Sequence, residues 1–113
     1  MDCVMCGLAN GVEPDAVYFA DDDIVAVTPL RKMSRVHYVL LPREHIDDLP
    51  TLLRDHPKLA AKIMQRAAEI ATERKIDATG YRLVWNFGPD TKQRIPHPHL
   101  HLLGGQRMTD TLA

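Results

Sequence analysis

Three histidines alternate with apolar residues near the end of the chain, in the stretch His97-Pro98-His99-Leu100-His101-Leu102-Leu103. Side chains of a β-strand alternate between two faces, so this spacing predicts a strand with all three imidazoles on one face. A helix would direct the rings to three different sides, and the alternation therefore favours a strand. Imidazole titrates near pH 6.5 and can act as a nucleophile, a proton donor or a metal ligand. The stretch is the candidate functional site.

Two chemistries suit such a row of imidazoles. Residues on the same face of a strand lie ~6.6–6.8 Å apart, which places His97 and His101 roughly 13 Å apart and makes three ligands to one tetrahedral ion unfavourable. The row is better suited to one nucleophilic ring whose neighbours contact phosphate oxygens and donate protons. A metallohydrolase that uses two of the rings, and a half-buried strand without chemistry, stay open as alternatives.

The same residues resemble a known family signature. The run His97–Leu103 is similar to the histidine–apolar repeat of the histidine triad (HIT) superfamily, whose members are nucleotide hydrolases and transferases. Gly104-Gly105 directly after it resembles the histidine-triad nucleotide-binding (Hint) branch, the purine nucleoside phosphoramidases. The run from 37 to 46 is similar to the second recognisable stretch of the family, and the matches together span 3–108.

The resemblance implies a mechanism and its catalytic residues. His99 corresponds to the family nucleophile, which attacks the α-phosphate of a purine nucleoside phosphoramidate or a related nucleotide and forms a nucleotidyl-histidine. His97, His101 and His37 correspond to the histidines that orient the nucleophile and hydrogen-bond the phosphoryl oxygens. No cofactor is needed for this chemistry, because positioning and charge stabilisation can support phosphoryl transfer.

Three further positions correspond to the nucleotide-binding residues of the family: Asn86 and Gln93, which match, and Arg94, which does not. Arg94 stands where the family often has a hydroxyl residue, and it could replace that donor with a charged, bidentate one. The segment from 28 to 35 lacks the acidic residue that holds the ribose in the family. These departures keep a second function open, a nucleotide-binding or interaction module with little turnover.

A C-x-x-C pair opens the chain, formed by Cys3 and Cys6. Two thiolates can supply half of a tetrahedral zinc site, and two small buried thiols are the alternative. In relatives that the chain resembles, such a pair shares a structural zinc with two histidines, which correspond here to His45 and His97. The resemblance therefore implies a structural zinc bound by these four residues.

The elements around the triad follow from periodicity and from turn residues. Alternating or β-branched runs predict strands at 17–20, 24–27, 37–42, 81–86 and 97–103, and a three- and four-residue apolar spacing predicts a helix from Pro57 to about Lys75. A short helix or turn is predicted at 49–53. The order predicts one α+β domain over 1–113, with an antiparallel sheet of about five strands, one long helix and a short helix, as in the HIT family.

Composition excludes several partners. Lys and Arg are scattered and the net charge is −1, which predicts no nucleic-acid interface. No apolar run reaches ~18 residues, so no membrane span is predicted. The start of the chain lacks the pattern of a signal peptide, and we expect a cytoplasmic protein with reduced cysteines. The family resemblance implies a homodimer that binds a small purine nucleotide.

Overall fold

A computed structural model describes residues 14–92 and 95–110. Five strands form one antiparallel sheet in the order β1-β2-β3-β5-β4, and two helices follow one another between β3 and β4. The elements are β1 (Val17–Ala20), β2 (Ile24–Val27), β3 (Val36–Pro42), α1 (Leu49–Asp55), α2 (Pro57–Glu73), β4 (Tyr81–Trp85) and β5 (Leu100–Gly104), with short 3₁₀ turns at Pro14–Ala16 and Pro89–Thr91. The predicted α+β class and antiparallel sheet are confirmed.

The two faces of the sheet are covered differently. One face packs against the helices, and the main core lies there; it includes Ile24, Ala26, Tyr38, Leu40, Leu100 and Leu102 from the strands. The opposite face carries a smaller apolar cluster of Val25, Val27, Val39 and Leu41. All seven residues of β3 are buried, which agrees with its almost continuous apolar sequence. The histidines of β3 and β5 lie on the face of the smaller cluster.

Capping residues and apolar spacing define the helices. The carboxylate of Asp48 accepts the backbone N–H of Thr51 at 2.9 Å and caps α1, and Pro57 begins α2 where its missing N–H has no cost. The buried stripe of α2 consists of Ala60, Ile63, Ala67, Ile70 and Ala71. Among the described residues, no helix is long and apolar enough to cross a membrane.

Strand β5 begins three residues later than predicted, so the expected strand over 97–103 was wrong at its start. The backbone N–H of His97 donates to the carbonyl of Ile95 at 2.8 Å, which closes a tight turn. Pro98 has no N–H to offer a neighbouring strand, and the carbonyl of His97 accepts a bond from the side chain of His99 at 2.9 Å. Before Leu100, hydrogen bonds within the segment therefore take the place of the hydrogen bonds between neighbouring strands.

Candidate active site

His37 and His101 meet on the face of the sheet opposite the helices. In the antiparallel pairing of β3 with β5, Val39 lies opposite His101 and His37 lies opposite Leu103. This diagonal placement on one face brings the two rings together, with centroids 5.2 Å apart. Nε2 of His37 lies 3.0 Å from Nδ1 of His101, a hydrogen-bonding distance.

The partners of these two rings determine where their protons lie. The backbone N–H of Met33 donates to Nδ1 of His37 at 3.0 Å, so Nδ1 carries a lone pair and neutral His37 holds its proton on Nε2. That proton is donated to Nδ1 of His101. Neutral His101 therefore carries its own proton on Nε2, on the side of the ring away from His37.

His99 has the opposite arrangement. Its Nδ1 donates to the carbonyl oxygen of His97 at 2.9 Å, so Nε2 carries the lone pair. Its ring lies edge-on to that of His101, with centroids 5.1 Å apart, and its side chain is buried. The pair thus offers a nucleophilic nitrogen on His99 beside an N–H donor on His101. An attacking group and a hydrogen-bond donor are the components that phosphoryl transfer to a side chain requires.

His97 faces different partners. It is fully buried, and its Nε2 donates to the carbonyl of Pro42 at the end of β3, at 2.8 Å. Its ring lies edge-on to His45, with centroids 5.3 Å apart, and Nε2 of His45 lies 3.0 Å from a carboxylate oxygen of Asp47. The structure thus brings together the two predicted histidine ligands of a metal, each bonded through Nε2 to an oxygen.

Burial keeps the four site histidines neutral. Desolvation is the largest cause of the lowered pKa in His37, His97 and His99. It also lowers the pKa of His101 to about 4, with further contributions from repulsion by His99 and His37. Because the neutral ring is the nucleophilic form, His99 is ready to attack at neutral pH without prior deprotonation.

A cavity of about 230 Å³ borders the triad segment. Pro98, which lies between His97 and His99, forms part of its wall, and Asn86 lines it directly after β4. Asp47, Asp48, Leu49, Phe87, Gly88, Pro89, Ile95 and Pro96 complete the lining. Of the predicted nucleotide-binding residues, Asn86 thus shares this cavity with Pro98, whereas Gln93 and Arg94 lie outside the described residues, as do the predicted ligands Cys3 and Cys6.

Three contributors to the site were not predicted. Met33 acts through its backbone N–H, a group that every residue except proline has, so no sequence signal could indicate it. Asp47 orients His45 from two positions further along, a spacing that could have been noticed. Gln106 binds the backbone N–H of Arg35 at 2.7 Å across 71 positions of sequence.

Comparison with known proteins agrees with this geometry. A family model described as "Scavenger mRNA decapping enzyme C-term binding" matches residues 2–112. The crystal structure of a HIT family hydrolase from Legionella pneumophila Philadelphia 1 is 36% identical and covers 96% of this chain and 97% of that chain, with a TM-score of 0.90. The chain belongs to the histidine triad superfamily.

Two further relatives of this HIT protein have informative names. Adenosine 5'-monophosphoramidase HINT3 of Xenopus tropicalis is 30% identical over 105 residues, which are 91% of this chain and 67% of the relative. A Zn-bound histidine triad family protein from Mycobacterium smegmatis is 28% identical and covers 100% of this chain and 81% of that chain, with a TM-score of 0.77. At the level of the superfamily, the HIT protein is a nucleotide-binding hydrolase.

Proposed function

We propose that the HIT protein hydrolyses purine nucleoside phosphoramidates, or related nucleotides, through a covalent intermediate on His99. The observation that supports this proposal is the complementary protonation of two adjacent rings. His99 presents a lone pair on Nε2 because Nδ1 donates to the carbonyl of His97, and His101 presents a proton on Nε2 because Nδ1 accepts from His37. The name of the HINT3 relative, a monophosphoramidase, supports the class of substrate.

The first step forms a bond between Nε2 of His99 and the α-phosphorus and breaks the bond from phosphorus to the leaving amine. The amine departs as a neutral molecule with one proton taken up from solvent, while His101, which stays neutral, donates a hydrogen bond from Nε2–H to the phosphoryl group beside the nucleophile. As positive charge develops on the His99 ring, the Nδ1–H bond to the carbonyl of His97 strengthens and stabilises it.

The second step is hydrolysis of the nucleotidyl-histidine. Water attacks the phosphorus, the bond to Nε2 of His99 breaks, and one proton of the water is released to solvent. A nucleoside monophosphate is released, and His99 again carries a lone pair on Nε2. Asn86, Gln93 and Arg94 are proposed to bind the nucleotide; Asn86 lines the cavity beside Pro98, which supports its assignment.

Turnover of a chromogenic or fluorogenic adenosine phosphoramidate tests the proposal. We expect His99→Ala to lose essentially all activity, by roughly 10³-fold or more, since it removes the attacking atom. His56→Ala is the matched control, because His56 lies between α1 and α2 and its side chain makes no capping bond there. Wild-type activity in His99→Ala would refute the mechanism. Binding of a purine nucleotide without turnover in the wild type would favour the alternative of a binding module.

A metallohydrolase that uses the triad is less well supported by the hydrogen bonds. Such a site needs ring nitrogens with lone pairs that point at one ion. Nδ1 of His101 already accepts the proton of His37, and Nε2 carries a proton, so neither nitrogen offers a lone pair in this arrangement. Turnover that persists in the presence of a strong chelator is the result that we expect.

We also propose a structural zinc bound by Cys3, Cys6, His45 and His97. An imidazole that binds a metal through one nitrogen usually donates a hydrogen bond from the N–H of the other nitrogen to a carboxylate or a carbonyl. This bond fixes the orientation of the ring and its tautomer. His45 and His97 fit this requirement: each is bonded through Nε2, to Asp47 and Pro42, so Nδ1 is the nitrogen with a lone pair. Within 14–92 and 95–110, no group of three or more potential ligands occurs, so the site depends on the two cysteines. Zinc there would tie the start of the chain to the sheet.

Two further proposals concern assembly and location. Among the residues that the structure describes, β4 has a neighbouring strand on one side only, and its side chains Tyr81 and Leu83 are 36% and 38% exposed. An unpaired strand edge of this kind can pair with the same edge of a second copy, which supports a homodimer with a continuous sheet. Sedimentation equilibrium tests it, and a monomer at all concentrations would contradict it. The cytoplasmic location stays a prediction.

A further inference from the structure

The pair His37–His101 has two possible arrangements of its protons. In the first, His37 donates from Nε2 and His101 keeps its proton on Nε2, at the site. In the second, the shared bond is reversed: His101 donates from Nδ1, His37 carries its proton on Nδ1, and Nε2 of His101 has a lone pair. The ring positions, 3.0 Å apart at the bonded nitrogens, are compatible with both. The first arrangement offers a phosphoryl group a donor, and the second offers it a repulsive lone pair.

The backbone N–H of Met33 discriminates between them. It lies 3.0 Å from Nδ1 of His37 and donates to it. In the reversed arrangement, two N–H groups would face one another there, a loss of one hydrogen bond and a repulsion in a largely buried site. The position of the backbone N–H of residue 33 therefore controls which ring nitrogen of His101 carries the proton.

The segment that carries Met33 is held by side-chain contacts at its end. Ser34 is buried, and its hydroxyl donates to the carbonyl of Val36 at 2.6 Å. The side-chain oxygen of Gln106, just beyond β5, accepts the backbone N–H of Arg35 at 2.7 Å. By contrast, the tip of the segment is open, since Leu30 is fully exposed and Met33 is 68% exposed.

Gly105 enables the contact with Gln106. Its φ is +83°, in the left-handed region, and a Cβ built on it would lie 3.0 Å from Cγ2 of Val36 and 3.3 Å from Cβ of Arg35. Only glycine combines this turn with so close an approach. The chain thus leaves β5, turns at Gly105 and brings Gln106 onto the backbone of Arg35.

We propose that Gln106 and the backbone N–H of Met33 are positioning groups that set the tautomer of His101. Gln106 acts indirectly, through its bond to the backbone N–H of Arg35. That bond fixes the segment so that Met33 N–H donates to Nδ1 of His37, and His37 in turn donates from Nε2 to Nδ1 of His101. The proposal rests on the proposed function for its catalytic consequence, since His101 Nε2–H is the donor in that mechanism. The tautomer itself is a property of the free protein.

The test measures the protonation of the His37 and His101 rings by ¹⁵N NMR, with kcat and KM for an adenosine phosphoramidate alongside. Met33→Pro removes the N–H, Met33→Ala keeps it and removes only an exposed side chain, and Gln106→Ala removes the acceptor of Arg35. Gln106→Glu restores an acceptor oxygen. All variants are compared in the full chain as purified without added metal or chelator.

We expect His101 to carry its proton on Nε2 in the wild type, in Met33→Ala and in Gln106→Glu, and to show mixed tautomers in Met33→Pro and, to a smaller extent, in Gln106→Ala. The kcat of Met33→Pro should fall about tenfold, which corresponds to one lost hydrogen bond, with little change in KM. The kcat of Gln106→Ala should fall by a smaller factor, and the kcat of Gln106→Glu should be close to that of the wild type.

An unchanged His101 tautomer in Gln106→Ala and in any folded Met33→Pro would overturn the proposal, whether or not kcat falls. Because Gln106 is exposed, its variants keep the test decisive even where Met33→Pro does not fold. If the tautomer shifts as expected but the wild type hydrolyses no phosphoramidate, the positioning role is supported and the proposed function fails.

Discussion

His99 donates from Nδ1 to the backbone carbonyl of His97, two residues earlier, at 2.9 Å. This single bond has two effects. The carbonyl of His97 accepts this local bond just before β5 begins at Leu100, and the bond orients the His99 ring so that the lone pair is on Nε2. The feature that interrupts the regular strand is therefore also the feature that prepares the nucleophile.

Acid should destabilise the fold through His101. Its pKa is near 6.5 in an unfolded chain and about 4 in the folded one, so the unfolded state binds more protons between these values. The contribution of neutral His101 to stability is complete above about pH 6.5 and is lost as the pH falls toward 4. Urea unfolding at pH 7 and pH 4.5 measures the loss.

The matched variant for this pH dependence is His101→Gln, which cannot titrate. We expect a shallower decline of the free energy of unfolding between pH 6.5 and 4 than in the wild type. Asp21 and Asp48 also have lowered pKa values in the fold, but their contributions are lost only below about pH 4, where carboxyl groups protonate. Parallel curves for wild type and variant would show that His101 is not the group responsible.

Burial in the core should dominate the stability of α2. Ile63 is fully buried against the sheet, whereas the adjacent Met64 is 37% exposed. We expect Ile63→Ala to lower the free energy of unfolding by about 2–5 kcal/mol, and Met64→Ala to lower it by much less. Denaturant titrations of both variants measure the difference. Equal losses would mean that the helix packs on another face.

Gly105 should be more sensitive to substitution than Gly88. Both have positive φ, but a Cβ at Gly88 would meet nothing within 4 Å, whereas at Gly105 it would meet Val36. Gly88→Ala should therefore cost only the backbone strain of its φ of 94° and ψ of 161°, roughly 1–3 kcal/mol, and Gly105→Ala should add to its backbone strain the cost of the close contact with Val36. Thermal unfolding of the two variants tests this ranking, and a reversed order would contradict the close approach to β3.

Zinc removal should lower the stability of the fold, because a metal that binds only the folded chain stabilises it. We expect about one zinc per chain in protein purified without added metal, and a fall in Tm on chelation. His45→Ala and Cys3→Ser should both lose the metal and the response to chelator, while His56→Ala should keep them. Protein without zinc, and with a Tm that chelators do not change, would remove the site.

Much of the fold could be predicted because its signals are local. The period-two pattern in β5 placed Leu100 and Leu102 in the core, and Pro57 marked the first residue of α2. The turn at His97 could not be read from that pattern, because it depends on a backbone bond from His97 to Ile95 and on the bond of the His99 side chain to the carbonyl of His97. A histidine counts as polar in any periodicity, whatever its Nδ1 contacts.

The candidate site was predictable in its residue types and less so in its proton arrangement. The spacing of the histidines and the family resemblance indicated His37, His99 and His101. The direction of their protons depends on Met33 and on the carbonyl of His97, which are backbone groups. Gln106 supports Arg35 from 71 positions away, a contact that exists only once the sheet has formed.

The most direct test of the account is detection of the covalent intermediate. Wild-type protein is mixed with an adenosine phosphoramidate, denatured at alkaline pH within the first turnovers, and measured as intact protein and as peptides by mass spectrometry. We predict an added adenylyl group on the peptide that contains His99, present in the wild type and in His56→Ala and absent from His99→Ala. Turnover with no nucleotidyl group on the protein, or the group on another residue, would contradict nucleophilic attack by His99.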